Sequence, residues 1–171
     1  MTKMSMTMIP PHGFNPAGKI YAASILNGVP AFSRKRKYTT GKQKAGVHFE
    51  KAMSARFATE FEPFYYYNIW FKYSSESYRT EKFAEPDGLL FDIERGIITI
   101  VEIKLRHCTK AWWQLRQLYQ PILQFLFPDW KIEVCEVFRY ANPNEKIPEK
   151  MFFVKDITIP SESYKMHKGR I

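Results

Sequence analysis

The chain has 171 residues, of which 45% are hydrophobic, and a formal net charge of +9, which suits one domain with basic extensions. Its two cysteines exclude a disulfide framework, and no apolar segment approaches the roughly 20 residues that span a membrane. Because the N-terminus also lacks the apolar run of a signal peptide, we expect a cytoplasmic protein, in the host cytoplasm if a phage encodes it.

Residues 1–40 are predicted to form an irregular basic arm, since prolines and glycines interrupt any periodicity, with a short helix near residues 22–26. The first 49 residues contain eight Lys or Arg and no Asp or Glu, whereas the rest contains 18 basic and 17 acidic residues. Such one-sided charge favours nucleic acid as the partner, although a solvated arm without a fixed partner is the other interpretation. A membrane surface is disfavoured, because the arm has no amphipathic helix with a bulky apolar face. The residues expected to contact DNA are Arg34, Lys35, Arg36, Lys37, Lys42 and Lys44.

Residues 42–61 are predicted to form the first core helix, because an apolar stripe recurs at steps of three and four. The stripe consists of Val47, Glu50, Met53, Ser54 and Phe57. Glu50 therefore lies within the stripe, and a carboxylate that faces a core needs a partner.

The middle of the chain is predicted to be β-structure. Residues 64–74 are aromatic and favour one strand, and residues 75–85 are polar and favour a loop. Residues 89–93 and 97–105 are predicted to form an antiparallel hairpin around a tight turn. The second hairpin strand is almost wholly apolar, as in a central strand, yet Glu102 and Lys104 share one of its faces, where burial of charge is costly.

A second helix is predicted from Thr109, as its N-cap, to about residue 127, kinked or broken at Pro121. Its expected buried stripe is Ala111, Leu115, Leu118, Ile122 and Phe125. Residues 130–140 should form a strand parallel to residues 97–105, and residues 151–157 a last strand before a basic tail, residues 161–171. The fold class is therefore α/β, with a mixed central sheet flanked by helices.

Four charged residues are expected to converge. Asp87 opens the hairpin, Glu102 and Lys104 point the same way from its second strand, and Glu50 projects from the first helix. Three carboxylates suit a hard divalent cation, and a lysine beside it can orient or deprotonate water and stabilise charge on a phosphate. These groups are the ones that phosphodiester hydrolysis requires. The alternative is a structural role, in which Asp87 caps a turn and Glu102 and Lys104 form an ion pair on the surface of the hairpin. The apolar sequence of the strand disfavours that alternative, because it indicates a buried strand.

Pro86-Asp87, then fourteen residues, then Glu102-Ile103-Lys104 resembles the motif of the PD-(D/E)xK nuclease superfamily. The order of elements in residues 42–140 is also similar. The resemblance implies a restriction-endonuclease-like core over residues 41–160 and a Mg²⁺ site, in which Mn²⁺ substitutes. Asp87, Glu102 and the main-chain carbonyl of Ile103 would be ligands, Lys104 the catalytic lysine and Glu50 the acidic helix residue of many members.

One departure concerns the second helix. RecB-like members carry a Gln and, four residues later, a Tyr, but here Leu115 stands four residues before Tyr119. Gln114 and Gln117 are near but out of register. They are candidate accessory contacts to a metal-bound water or a phosphate, or members of an exposed polar face.

The sequence therefore predicts a Mg²⁺-dependent DNA nuclease, endonucleolytic or structure-directed, with a homodimer suggested by the resemblance alone. A DNA-end exonuclease is the alternative within enzymes. A non-catalytic nucleic-acid-binding protein, or a phage or mobile-element assembly protein, that keeps the nuclease fold is the alternative from another class. His48, His107 and Cys108 lack the paired spacing of a zinc site.

Overall fold

A computed structural model describes residues 16–26, 28–30, 40–78 and 80–140, together with the backbone of the strands at 151–159 and 162–169. The elements in chain order are β1 (Ile20–Leu26), α1 (Gly41–Glu60), β2 (Tyr65–Tyr66), β3 (Trp70–Ser75), β4 (Lys82–Ala84), β5 (Gly88–Asp92), β6 (Ile97–Arg106), α2 (Thr109–Gln114), a π turn (Leu115–Tyr119), α3 (Gln120–Leu126), β7 (Lys131–Tyr140), β8 (Met151–Ile159) and β9 (Glu162–Gly169). Six strands form one sheet in the order β2-β5-β6-β7-β9-β8, and β1, β3 and β4 form another. The larger sheet is mixed, because β6 and β7 are parallel and their neighbours antiparallel. The predicted α/β class is confirmed.

Strand β6 is central, as predicted, and its two faces belong to two hydrophobic cores. Ile98 and Ile100 share a core with residues of the π turn and α3. Val101 and Ile103 share the other core with residues of α1. The strand therefore lies between α1 on one face of the sheet and the second helical segment on the other, which explains why it is apolar on both faces.

Helix α1 confirms the first predicted helix. Thr40 is its N-cap, and the Oγ1 of Thr40 and the Oε1 of Gln43 accept each other's backbone N–H in a capping box. Its buried residues are Phe49, Met53 and Phe57. Glu50 is half-buried beside this row, so the apolar stripe is turned slightly from the one predicted.

Several strands differ from the prediction. Residues 64–74 form two strands, β2 and β3, in different sheets, because the chain turns at Asn68, whose φ is 58°. The predicted loop of residues 75–85 contains β4. Residues 20–26 form β1, antiparallel to β3, and not an irregular segment with a short helix. Ala17 and Ile20 are buried beside β3, so this stretch belongs to the folded core.

The second helical segment contains a π turn that ends before Pro121, but Gln114, Leu115, Tyr119 and Gln120 at its two ends all keep right-handed helical φ and ψ, so the backbone stays helical through it. The carbonyl of Gln117, which lies four residues before Pro121 and would lack a donor there, accepts the backbone N–H of Ala17. The π turn holds an extra residue, which shifts the buried row to Leu115, Tyr119 and Ile122 and leaves the predicted Phe125 46% exposed. The predicted N-cap was one residue late, since Cys108 is the N-cap and Thr109 begins the helix.

The end of the chain adds two strands to the sheet. Strand β7 is parallel to β6, as predicted, and residues 151–159 confirm the expected later strand. Residues 162–169, predicted as a basic tail, instead form β9, which lies between β7 and β8. No helix in the described part of the chain is long and apolar enough to cross a membrane.

Candidate active site

The candidate site lies where β6 runs past the end of β5. The last residues paired between the two strands are Gly88 and Val101. Asp87 precedes Gly88, so its carboxylate meets the next part of β6, where Oδ2 accepts the backbone N–H of Ile103 at 2.6 Å. In a strand the N–H and C=O of one residue face the same neighbour, so the carbonyl of Ile103 is directed to the same side.

The structure brings Asp87, Glu102 and Lys104 together. The ammonium of Lys104 lies 2.6 Å from Oε1 of Glu102 and 3.8 Å from Oδ2 of Asp87. Glu102 is buried, whereas the Lys104 side chain is 34% exposed. One partly accessible cation is therefore shared by two largely buried carboxylates.

The carboxylates of Asp87 and Glu102 have too little positive charge beside them to offset their burial, as their raised pKa values show. Burial raises the pKa of the Glu102 carboxyl to about 8, and the charge of Asp87 raises it further, against the lowering effect of Lys104. Burial also raises the pKa of Asp87, while Lys104 and the Ile103 N–H lower it. Oε2 of Glu102 is buried and has no hydrogen-bond partner among the described residues.

The pKa of Lys104 is raised, although burial alone would lower it. Desolvation lowers the pKa of its ammonium, but Glu102 and Asp87 together raise it above its ordinary range. Glu50 adds to this effect from α1, and its charge also raises the pKa of Glu102. The lysine is therefore held as a cation next to the carboxylates.

A cavity of about 340 Å³ adjoins the site. Glu50 and Ser54 of α1 line one side of it, and the turn of Glu85, Pro86 and Asp87 lines another. Two of the predicted acidic residues, Glu50 and Asp87, thus face a common space that a ligand can enter.

The arrangement offers oxygen ligands to a divalent cation. Among the described residues, no three His, Cys, Asp or Glu side chains are grouped closely enough to hold a metal ion by themselves. The donors present are two carboxylates and the side of β6 that carries the Ile103 carbonyl, all of them hard oxygen ligands. Mg²⁺ is commonly held by one or two carboxylates with waters completing its shell, so the donor set and the unpartnered Oε2 of Glu102 fit that ion.

The π turn supports the site from the face of the sheet opposite α1, the face to which the alternation of β6 assigns Glu102 and Lys104. Tyr119 donates its hydroxyl proton to the carbonyl of Glu85 at 2.9 Å, and Nε2 of Gln114 donates to the same hydroxyl at 2.9 Å. Gln114 and Tyr119 are five residues apart, and the π turn brings them onto one side of the helix. Gln114 does not have the four-residue spacing to Tyr119 that the RecB-like motif requires, but the extra residue of the π turn, which the sequence does not mark, compensates for this and allows the contact.

Gln117 is placed differently from Gln114. Its carbonyl accepts the backbone N–H of Ala17 at 2.9 Å, which ties the π turn to the segment before β1. Of the two glutamines singled out from the sequence, Gln114 is therefore the one that the structure connects to the Glu85–Asp87 turn.

Two further supports were missed from the sequence. The Tyr65 hydroxyl stands against the α-carbon of Gly88, so that a β-carbon there would collide with it. Glu136 of β7, beside Glu102 in the strand register, is buried and holds Nδ1 of His107 at 2.8 Å and the N–H of Cys108 at 3.1 Å. The glycine directly after Asp87 was a sequence signal for the contact with Tyr65. Nothing in the local sequence indicated the role of Glu136.

The predicted DNA contacts are divided between two regions. Arg34, Lys35, Arg36 and Lys37 lie outside the described residues. Lys42 and Lys44 are exposed in the first turn of α1, where positive charge is unfavourable for the helix dipole and no acidic residue offsets it. Their placement is therefore not explained by helix stability.

Comparisons with protein-family models, with curated proteins and with solved structures gave no match to this chain. The resemblance to PD-(D/E)xK nucleases therefore stays a prediction from the sequence motif and the order of elements.

Proposed function

We propose that the chain is a divalent-metal-dependent DNA nuclease with a restriction-endonuclease-like core that hydrolyses phosphodiester bonds, endonucleolytically or at particular DNA structures. One observation carries this proposal. Asp87 and Glu102 converge on Lys104 at the end of the hairpin, and one oxygen of the buried Glu102 carboxylate lacks a partner among the described residues. Buried carboxylates short of positive charge are costly in a structural role and useful in a metal site.

Each side chain has a distinct role in this proposal. Bound Mg²⁺ would stabilise developing charge and lower the pKa of a coordinated water. The Ile103 N–H orients the Asp87 carboxylate, and Lys104 orients that of Glu102. Lys104, which lies beside both carboxylates, would stabilise negative charge on a phosphate oxygen or orient and help deprotonate the attacking water.

A purely structural ion pair is the competing explanation. Such pairs are often replaceable by apolar residues without loss of stability, so a fold gains little from them. Here the pair is joined by Asp87 and Glu50, both of which line the cavity. A non-catalytic protein that binds phosphates would be weakened by these carboxylates, because their negative charge repels the ligand.

DNA is the proposed partner because the exposed lysines of α1 lead toward the cavity. Lys44 and Lys51 are seven residues apart, on one face of the helix, and Lys51 lines the cavity. Lysines contact phosphates without reading bases, so this surface supports binding to the DNA backbone.

A cleavage assay tests the proposal. Plasmid, linear and branched DNA are incubated with Mg²⁺, Mn²⁺ or EDTA and with the wild type, Lys104→Ala or Lys131→Ala. Lys131 is a matched control, since it also pairs with a glutamate, Glu133, at 3.1 Å, but at the far end of the sheet. We expect metal-dependent products from the wild type and Lys131→Ala, and about 100-fold slower cleavage by Lys104→Ala.

The substrates separate the alternatives. Nicking of the closed plasmid indicates an endonuclease, and products from linear DNA alone indicate an end-dependent exonuclease. Absence of metal-dependent product from every substrate contradicts the nuclease proposal and favours a non-catalytic DNA-binding protein. Cleavage by Lys104→Ala at the wild-type rate contradicts the assignment of the site.

A further inference from the structure

Part of the lining of the cavity is aromatic. Tyr67 and Asn68, in the turn between β2 and β3, line it. The Tyr67 ring stacks on the Tyr65 ring, with centroids 6.4 Å apart and planes at 29°. Tyr65 is itself buried and contacts the Phe57 ring at 5.5 Å, so Tyr67 is supported from below.

The outer side of Tyr67 is open. Tyr67 is 47% exposed although its ring stacks on that of Tyr65, and the next residue, Asn68, has a left-handed φ of 58°. A supported ring with a free face at a cavity is a stacking platform, on which a nucleobase is a suitable partner.

A basic row leads to the same cavity. Lys44, His48 and Lys51 are at positions i, i+4 and i+7 of α1, so they share one face over about 10 Å of helix. Lys51 is the member that reaches the cavity. The cavity therefore combines an aromatic wall, a cationic edge and an acidic side, which are complementary to a base, a phosphate and a metal-bound phosphate.

We propose that this cavity receives one unstacked nucleotide beside the scissile phosphate, with its base on Tyr67 and its phosphate near Lys51, so that the preferred substrate is DNA with an unpaired nucleotide at the cleavage position. This inference rests on the proposed function. A volume of about 340 Å³ is at the small end of ligand pockets and suits one nucleotide unit rather than a duplex. A base within continuous duplex is stacked on both sides and cannot offer a face to Tyr67.

The test compares Tyr67→Ala with Tyr66→Ala. Tyr66 is the matched control, because it is 49% exposed, lies next in the chain, contacts Phe91 edge-on and does not line the cavity. Cleavage rates are measured on continuous duplex and on the same sequence with a single-stranded tail. We expect the wild type and Tyr66→Ala to cleave the tailed DNA faster than the continuous duplex. For Tyr67→Ala, the ratio of these two rates should be about tenfold smaller.

A binding measurement keeps this inference separate from the proposed function. Single-stranded DNA with 2-aminopurine is added to wild type, Tyr67→Ala and Tyr66→Ala in EDTA, where no cleavage is expected. Stacking should quench the fluorescence with wild type and Tyr66→Ala, and less with Tyr67→Ala. Equal quenching by all three, or an unchanged preference of Tyr67→Ala for tailed DNA, overturns the inference. Quenching that depends on Tyr67 without any metal-dependent cleavage supports the base site while contradicting the nuclease.

Discussion

Asp87 is positioned by two residues, Ile103 and Gly88, that have no reactive side chain. The Ile103 N–H holds its carboxylate, and the next residue, Gly88, lies under the Tyr65 hydroxyl with no room for a β-carbon. The alternation of Glu102 and Lys104 along a strand was enough to predict that they share a face. That Tyr65 approaches Gly88 depends on the pairing of β2 with β5, which a local pattern does not contain.

Gly88→Ala should therefore disturb both stability and the site. A methyl group must displace Tyr65 or the backbone of Asp87, and such overpacking costs about 1–3 kcal/mol. We expect a lower free energy of unfolding in urea and slower DNA cleavage.

Gly46→Ala is the control for this substitution. Gly46 lies within α1, and no atom is close to the position that an alanine methyl group would occupy there. Alanine should therefore be neutral or should stabilise the helix by up to about 1 kcal/mol. Equal unfolding free energies for Gly88→Ala and the wild type would contradict the role given to the Tyr65–Gly88 contact.

Among the elements, the hairpin β5–β6 and the parallel pair β6–β7 followed from sequence patterns, because tight turns and apolar runs are local signals. The π turn did not. A π turn is a single turn within an α-helix that contains one additional residue. A hydrophobic pattern does not reveal it when the buried row of side chains continues after the extra residue. Here that row passes from Leu115 to Tyr119, and the expected period placed Leu118 and Phe125 inward instead.

Deletion of Gln117 tests the π turn. Without the surplus residue, Gln114 and Tyr119 stand four positions apart, which in an α-helix keeps them on one side and preserves their hydrogen bond. We expect a cooperatively folded protein that loses about 3 kcal/mol, because Pro121 would then lie inside a regular α-helix, where proline lacks the N–H and its ring meets the preceding turn.

The matched deletion removes Ala52, an exposed residue in the regular helix α1. A regular helix has no surplus residue, so this deletion turns Phe49 away from Met53 and Phe57 by about 100° and should abolish most of the stability. Urea unfolding compares the two variants. A loss for the Gln117 deletion as large as that for Ala52 would show that the π turn is required by the fold.

For the whole molecule, the distribution of charge was readable from the sequence, but the extent of the arm was not. Strand β1 pairs with β3, and Ile20 is buried, so residues 20–26 cannot be removed without exposing the smaller sheet. Composition indicated the basic segment, whereas the strand within it depends on a partner about 50 residues away in the chain. The role of the arm is therefore best tested by changing charges and not by deletion.

Replacing Arg34, Lys35, Arg36 and Lys37 by Gln should weaken DNA binding and reduce its salt dependence. Each lost phosphate contact lowers the slope of log K against log salt by about 0.9 in magnitude, so up to about 3–4 in all. Fluorescence anisotropy at several KCl concentrations measures this. The control replaces Lys72, Lys82, Arg95 and Lys131, which removes as much charge elsewhere; equal slopes for both quadruple variants would argue against specific contact by the arm.

Calorimetric binding of Mn²⁺ tests the central claim, that the carboxylates around Lys104 hold a divalent cation. The wild type is compared with Asp87→Asn and with Asp92→Asn, which lies at the other end of β5 and pairs with Arg95 at 3.7 Å. We predict at least one bound ion for the wild type and for Asp92→Asn, and binding at least tenfold weaker for Asp87→Asn. Binding by Asp87→Asn as tight as by the wild type would contradict the claim.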